Sequence, residues 1–355
     1  MARIDMLGRL DADAALLRAR MQALTRQVTT GLKTQAPGDL APQMPRALDL
    51  RAEIGRRDTY GTTIGQALSR SAAAQQALGR LGEIARQFGD DVAMKLDANN
   101  PEGLAFAANA ARAAMIEVGQ LLNTKQGDEY LFGGTDFANP PVPDPDGLPT
   151  GGMASRIAVA IGTLGPGNAA AVAAATRAAA LDDSAGVTPF SAFLSDPARG
   201  LAEPRRSVPS ADGTATEVGI FANRNAAATS TGETTGGWAR DLLRGLASIA
   251  ALGPAQTGSQ ADFRALAETI RGGLQSAARA LADEQGALGL TEQRLEGVQT
   301  RHTEMRDALQ GQLAGIEEID LAATLTRLQS TKTTLEASYN VIGTLGALSL
   351  TNFLR

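Results

Sequence analysis

The chain reads as mainly α: a long antiparallel coiled-coil-like helical rod made from both chain ends, with an inserted, partly β variable domain in the middle. Three observations predict this. Apolar residues recur at alternating three- and four-residue spacing at both ends. Aromatics make up only 4% of the 355 residues, while 43% are hydrophobic and much of that is Ala, the best helix former and a poor core filler. Residues 133–237 shift to Gly, Pro, Ser, Thr and Asn, the composition of turns.

At the N-terminus, Leu7, Leu10, Ala14, Leu17, Met21, Leu24 and Val28 form an a/d seam. Gly31 offers a stop. About 26 residues of helix would span roughly 39 Å. A second stretch, 48–97, carries Ile54, Ile64, Leu68, Leu78, Leu81, Phe88, Val92 and Leu96. DANNPEG, 97–103, is a turn, because Pro101 cannot continue a helix and paired Asn residues favour turns. Leu104, Ala108, Ala111, Met115, Val118 and Leu122 resume the heptad, so 48–122 reads as a helical hairpin.

The middle segment holds a loop, PPVPDPDGLPTGG at 140–152, and β-like pieces at Arg156–Ile161 and Glu217–Phe221. Ala169–Leu181 reads as one short helix. Residues 262–313 then carry Leu266, Ile270, Ala277, Leu281, Leu288, Leu295, Val298, Met305 and Leu309, a helix weakened by Gly286, Gly289, Gly297 and Gly311, which leave room for a kink. GIEEID, 315–320, separates it from a last helix capped by Asp320. The final seam is Leu321, Leu325, Leu328, Lys332, Leu335, Tyr339 and Ile342, continued by Leu345, Leu348 and Leu350.

The expected plan is nested, with first and last helices paired and second and penultimate helices paired. The corresponding segments are 1–45, an assembly helix and turn; 46–132, the N-terminal half of the rod; 133–237, the inserted α+β domain; 238–314, the C-terminal half of the rod; and 315–355, the C-terminal assembly helix. A narrow apolar stripe cannot bury itself and requires a partner helix. The simplest partner is the other end of the same chain, and copies of the chain are the further one. The residues expected to carry assembly are Leu10, Leu17, Met21, Leu24 and Val28 with Leu325, Leu328, Leu335, Tyr339 and Ile342.

Composition limits the chemistry. The net charge of −5 argues against nucleic-acid binding, which needs a basic stripe. The absence of Cys and the single His exclude disulfide scaffolds, thiol nucleophiles, a His dyad and ordinary zinc sites. His302 lies on the seam between Val298 and Met305 and reads as a packed residue. Adjacent carboxylates at Asp90–Asp91, Asp182–Asp183 and Glu317–Glu318 point apart on a helix and form no dyad. Asp144 and Asp146 lack the remaining ligands of a calcium loop, and LGPGNA at 164–169 lacks the ending of a phosphate loop. Trp238 reads as a packing anchor. Neither a catalytic site nor a cofactor is expected. No apolar run reaches membrane-spanning length, so no membrane insertion is expected, and the first residues show no apolar signal core.

Four segments resemble the bacterial flagellin superfamily: QALTRQVTTGLKTQAPGD at 22–39, RALDLRAEI at 46–54, LLNTKQGDEYLFGGT at 121–135, and IDLAATLTRLQSTKTTLEASYNVIGTLGALSLTNFL at 319–354. The stretch TTGLKTQAPGDLAPQMPRALDL lacks the Asp pair of the filament flagellins' AKDDAAG-type pattern. RALDLRAEI and YLFGGT look more like the superfamily's hook–filament junction branch. The resemblance implies a homo-oligomeric structural subunit, exported unfolded through the flagellar type III apparatus. It implies hook-associated protein 1 and flagellin as neighbours and an export chaperone on the C-terminal helix. Two other readings stay open: a flagellin of the filament itself, and a cytoplasmic coiled-coil adaptor.

Overall fold

The computed structural model describes residues 2–34 and 42–353, with side chains described for 8–34 and 42–344. The side chains of the expected seam positions Leu7, Leu345, Leu348 and Leu350, and most of the TQAPGD turn, lie outside those described residues. Nine helices are described, together with two small hairpins. In order they are α1 (Ala2–Thr30), α2 (Met44–Arg86), α3 (Pro101–Leu122), β1 (Lys125–Gln126), β2 (Glu129–Tyr130), α4 (Gly152–Gly162), α5 (Ala169–Leu181), α6 (Ala192–Ser195), β3 (Ser207–Ala211), β4 (Thr214–Glu217), α7 (Trp238–Ala251), α8 (Gln260–Glu317) and α9 (Leu321–Phe353). The mainly α class with long terminal helices and a small β content in the middle is therefore what the chain forms.

The chain divides into two compact units, one of Tyr60–Arg301 and one of the residues up to Thr59 together with those from His302 onward. In the larger unit, α2 and α8 run antiparallel. Gln75 Nε2 donates to the Gln285 carbonyl at 2.9 Å, and a Cβ on Gly89 would touch Leu274 at 3.3 Å. Their shared core takes Leu78, Leu81, Ile84 and Phe88 from α2 and Leu274 and Leu281 from α8, with Leu104, Met115 and Leu122 of α3. Asn100 caps α3 by accepting from Gly103 N at 2.9 Å, and Pro101 sits at the first helical position, where its missing N–H costs nothing. After Arg86, α2 widens into a π turn over Gln87–Val92 and then a 3₁₀ turn over Ala93–Lys95, so the expected helix to residue 97 ends irregularly.

α7 is buried from Trp238 to Ala250 and packs against α3, α4 and α5. Trp238 meets Phe132 edge-on at 6.4 Å. Its buried cations are fully engaged. Arg240 donates to the Ala180 carbonyl at 2.9 Å and to Asp183 at 2.7 Å, and Arg244 donates to the Ala173 carbonyl at 2.7 Å. Burial pushes the Asp241 carboxyl up, against the Thr235 N–H that it accepts at 2.7 Å.

Three local expectations are corrected. Arg156–Ile161 is part of helix α4, not a strand, because Met153, Ala154, Ile157 and Ile161 bury one helical face while Val159 points outward. Helix α8 continues through Gly286, Gly289, Gly297 and Gly311 as one helix, and it extends to Glu317, which leaves Glu318–Asp320 as the break. Of Glu217–Phe221, only Glu217 ends a strand, and Phe221 forms an isolated bridge to Gly133. Helix α5 matches its expected bounds, Ala169–Leu181.

The β pieces lie against the helices. Val208 of β3 packs with Ile64 and Ala67 of α2 and Leu295 of α8. Glu129 of β2 pairs with Arg206 at 2.8 Å and also with Arg70 of α2. Burial opposes ionisation of Glu129, but Arg206 and then Arg70 hold it below the ordinary carboxylate value of 4.5. Phe132, Gly133 and Gly134 form a seat for Phe221. Ala222 N donates to the Phe132 carbonyl at 2.9 Å, and Gly134, at φ +67°, faces the ring so closely that a Cβ would overlap it. Arg224 lies over that ring at 3.8 Å from its centroid.

Gly134→Ala should lower stability by about 1–3 kcal/mol through the overlap and the positive φ, read as a lower urea midpoint. Gly286→Ala, where a Cβ meets nothing, should leave or raise it. The depressed Glu129 pKa stabilises the fold above pH 4.5, and that contribution disappears as pH falls through the lower folded value. Acid titration of Glu129→Gln should therefore lack one protonation-linked loss of stability below pH 4.5 that the natural chain shows.

Candidate assembly surface

The smaller unit is built on the antiparallel pair of α1 and α9. Its register is fixed where the two connections meet. Gly31 ends α1 with φ +74°, a conformation that glycine adopts without a Cβ penalty. Ile319 N then donates to the Gly31 carbonyl at 2.9 Å, and Lys33 N donates to the Glu317 carbonyl at 2.8 Å. Leu32 and Glu318 thereby form an antiparallel bridge. The Lys33 ammonium completes the lock by donating to the carbonyls of Gly315 and Ile316, at 2.5 and 3.0 Å, where a helix C-terminus attracts a cation. Asp320 accepts from Ala323 N at 3.0 Å and starts α9.

Within this unit α2 begins against the end of α8. Ala47 and Leu50 pack with Ile316, flanked by Leu309 and Leu313. Arg51 reaches Glu317 at 2.9 Å. Midway along the α1–α9 pair, Arg18 donates to the Tyr339 hydroxyl and stands over its ring at 5.1 Å.

The expected seam of α1 is the face turned to α9. Ala14 and Leu24 are buried, and Leu10, Leu17, Met21 and Val28 are half-buried. On α9 the expected seam divides. Leu335 is buried and Leu328 and Ile342 are half-buried, but Leu325 is 45% and Tyr339 39% exposed. The inward positions that sequence reasoning missed are Thr324, Thr331 and Ser338. With Leu328, Leu335 and Ile342 they keep the four–three alternation, one helical step from the leucines chosen on apolarity alone. Thr331 and Ser338 are tolerated there because each hydroxyl donates to the carbonyl four residues back, at 2.8 and 2.9 Å. A run of Ser and Thr at heptad spacing was the available signal.

Rotating the inward face in this way leaves an apolar strip outside. Leu321, Leu325 and Tyr339 share one side of α9 and are exposed, Val341 is exposed on nearly the opposite side, and Leu16 of α1 is 68% exposed. Large apolar side chains grouped on one helix and left in water mark an interaction surface.

The candidate chemical residues are occupied otherwise. His302 is buried. Asp183 pairs with Arg240, and Asp182 accepts from Ser184 N at 2.9 Å. Asp144 caps the Gly147 N–H at 2.9 Å, and Asn168 of the Gly-rich LGPGNA segment accepts from Gly165 N at 2.8 Å. Among the described residues, no group of His, Cys, Asp and Glu side chains could hold a metal ion, and no helix is long and apolar enough to cross a membrane.

Comparison with known families matches residues 12–136 to the bacterial flagellin N-terminal helical region and residues 272–354 to the bacterial flagellin C-terminal helical region. Together the matches cover more than half the chain. They include α1 from Ala12 onward and the whole of α9. No curated protein matches the chain.

Lys33→Met should weaken the lock by about 0.5–1 kcal/mol. Amide exchange at residue 33 and at Ile319 should accelerate several-fold, while exchange in α7 stays unchanged.

Proposed function

The chain belongs to the bacterial flagellin superfamily, and from that premise we propose that it is a structural subunit joining hook to filament. Assembly-coupled packing of its terminal helices makes the joint. The observation that carries the reading is the apolar strip of Leu321, Leu325 and Tyr339, which stays partly wet after α1 has covered the inward face of α9. Full burial of a Leu-sized side chain contributes about 1.5–3 kcal/mol, and since these three are already about half covered, completing their burial contributes roughly 2–4 kcal/mol before ordering entropy is subtracted. Docking one surface on a different surface of the next copy is heterologous and builds a ring or tube.

RALDLRAEI, YLFGGT and the missing Asp pair support the junction position over the filament. In that position the neighbours are hook-associated protein 1 on one side and flagellin on the other. An export chaperone holds the C-terminal helix before passage through the type III apparatus. The segments 1–45 and 315–355 serve as the assembly helices, with Leu10, Leu17, Met21, Leu24 and Val28 keeping α1 on α9. A filament flagellin is the second reading, favoured by the match of both chain ends to flagellin regions.

Leu325→Asp should keep the helix content and the unfolding of the 60–301 unit, yet abolish incorporation into flagella and motility. Normal motility would defeat the assembly role. Immunogold labelling of isolated flagella separates the positions: a band at the hook end supports the junction, and label along the filament supports flagellin. Absence from the flagellar fraction would support a cytoplasmic adaptor instead.

A further inference from the structure

A small cavity of about 40 Å³ lies in the 60–301 unit between α2 and the two hairpins. Its walls include Arg70 and Ser71 of α2, Glu129 and Tyr130 of β2, and Arg206 before β3. Ser71 is 5% exposed, and its hydroxyl has no hydrogen-bond partner in the protein. A buried hydroxyl left unpaired costs about 1–3 kcal/mol, so a group inside the cavity that accepts or donates to it is stabilising.

Charge selects that group. Two guanidinium groups share the single carboxylate of Glu129. The nearby carboxylates do not restore balance, because Glu217 is engaged by Arg205 at 3.7 Å and Asp128 sits in the exposed turn. Size selects further. The volume is close to that of one water molecule, whose share of the liquid is about 30 Å³, and it is too small for a polyatomic anion. We propose that this cavity is a site for one small inorganic anion of the halide class, held by the Ser71 hydroxyl and the guanidinium groups of Arg70 and Arg206. The bound ion ties α2 to the β3–β4 hairpin, since its ligands come from α2 and from the segment entering β3.

The test uses the full chain. Thermal unfolding is compared in sodium chloride, sodium bromide and sodium gluconate at equal ionic strength, because gluconate is too large for the cavity. A saturable rise in Tm in both halides over gluconate is expected, following the logarithmic dependence of ligand linkage. Ser71→Ala should lose that difference while retaining its Tm in gluconate within a few degrees. Crystals soaked in bromide supply a readout that needs no variant, with an anomalous peak expected within hydrogen-bond reach of Ser71 Oγ. A water molecule there in place of the peak overturns the proposal, as does an equal Tm in all three salts.

Discussion

A helix with one narrow apolar stripe has nowhere to put it, and this constraint organises the chain. The stripe of α1 is met by α9, which begins only at Leu321, far along the chain. That pairing succeeds only if the register is set, and the setting is local. Gly31 turns the backbone, Ile319 and Lys33 close two main-chain hydrogen bonds, and the Lys33 ammonium holds the last carbonyls of α8. Every heptad contact of the pair is counted from that bridge. The apolar strip left on the outside of α9 follows from the same geometry. A helix whose inward positions include Thr324, Thr331 and Ser338 must carry some of its leucines elsewhere.

The 60–301 unit obeys a different rule. Its organising helix, α7, is buried nearly throughout, and a helix buried all round must satisfy any polar group it carries. Arg240 and Arg244 do so by donating to carbonyls of α5 and to Asp183, so the charges fix how α5 and α7 pack. Glu284 of α8 works in the reverse sense. It is 3% exposed and accepts from the N–H groups of Ala226, Ala227 and Ala228 at 2.7–2.9 Å, which pins the return segment before α7. The hairpins are fastened in the same manner, through Glu129 and through the glycine seat beneath Phe221.

The sequence by itself determined the long helices, their antiparallel partners and most of their ends, because heptad spacing, Gly31, Pro101 and Asp320 act within a few residues of themselves. It also determined that chemistry at a His or Cys cluster is foreclosed, since the residues are absent. Only the tertiary structure decided which rail of α9 faces α1. Leucines and threonines one helical step apart both satisfy the same period, and the choice rests on the register set by Gly31 and Ile319. It likewise decided that Arg156–Ile161 is helical, because the burial of Ile157 and Ile161 against α7 outweighs the β preference of branched side chains. The buried arginines of α7 and the unpaired Ser71 were out of reach for the same physical reason. Their partners are distant in the chain, and one sequence read along its length carries no record of which residues meet.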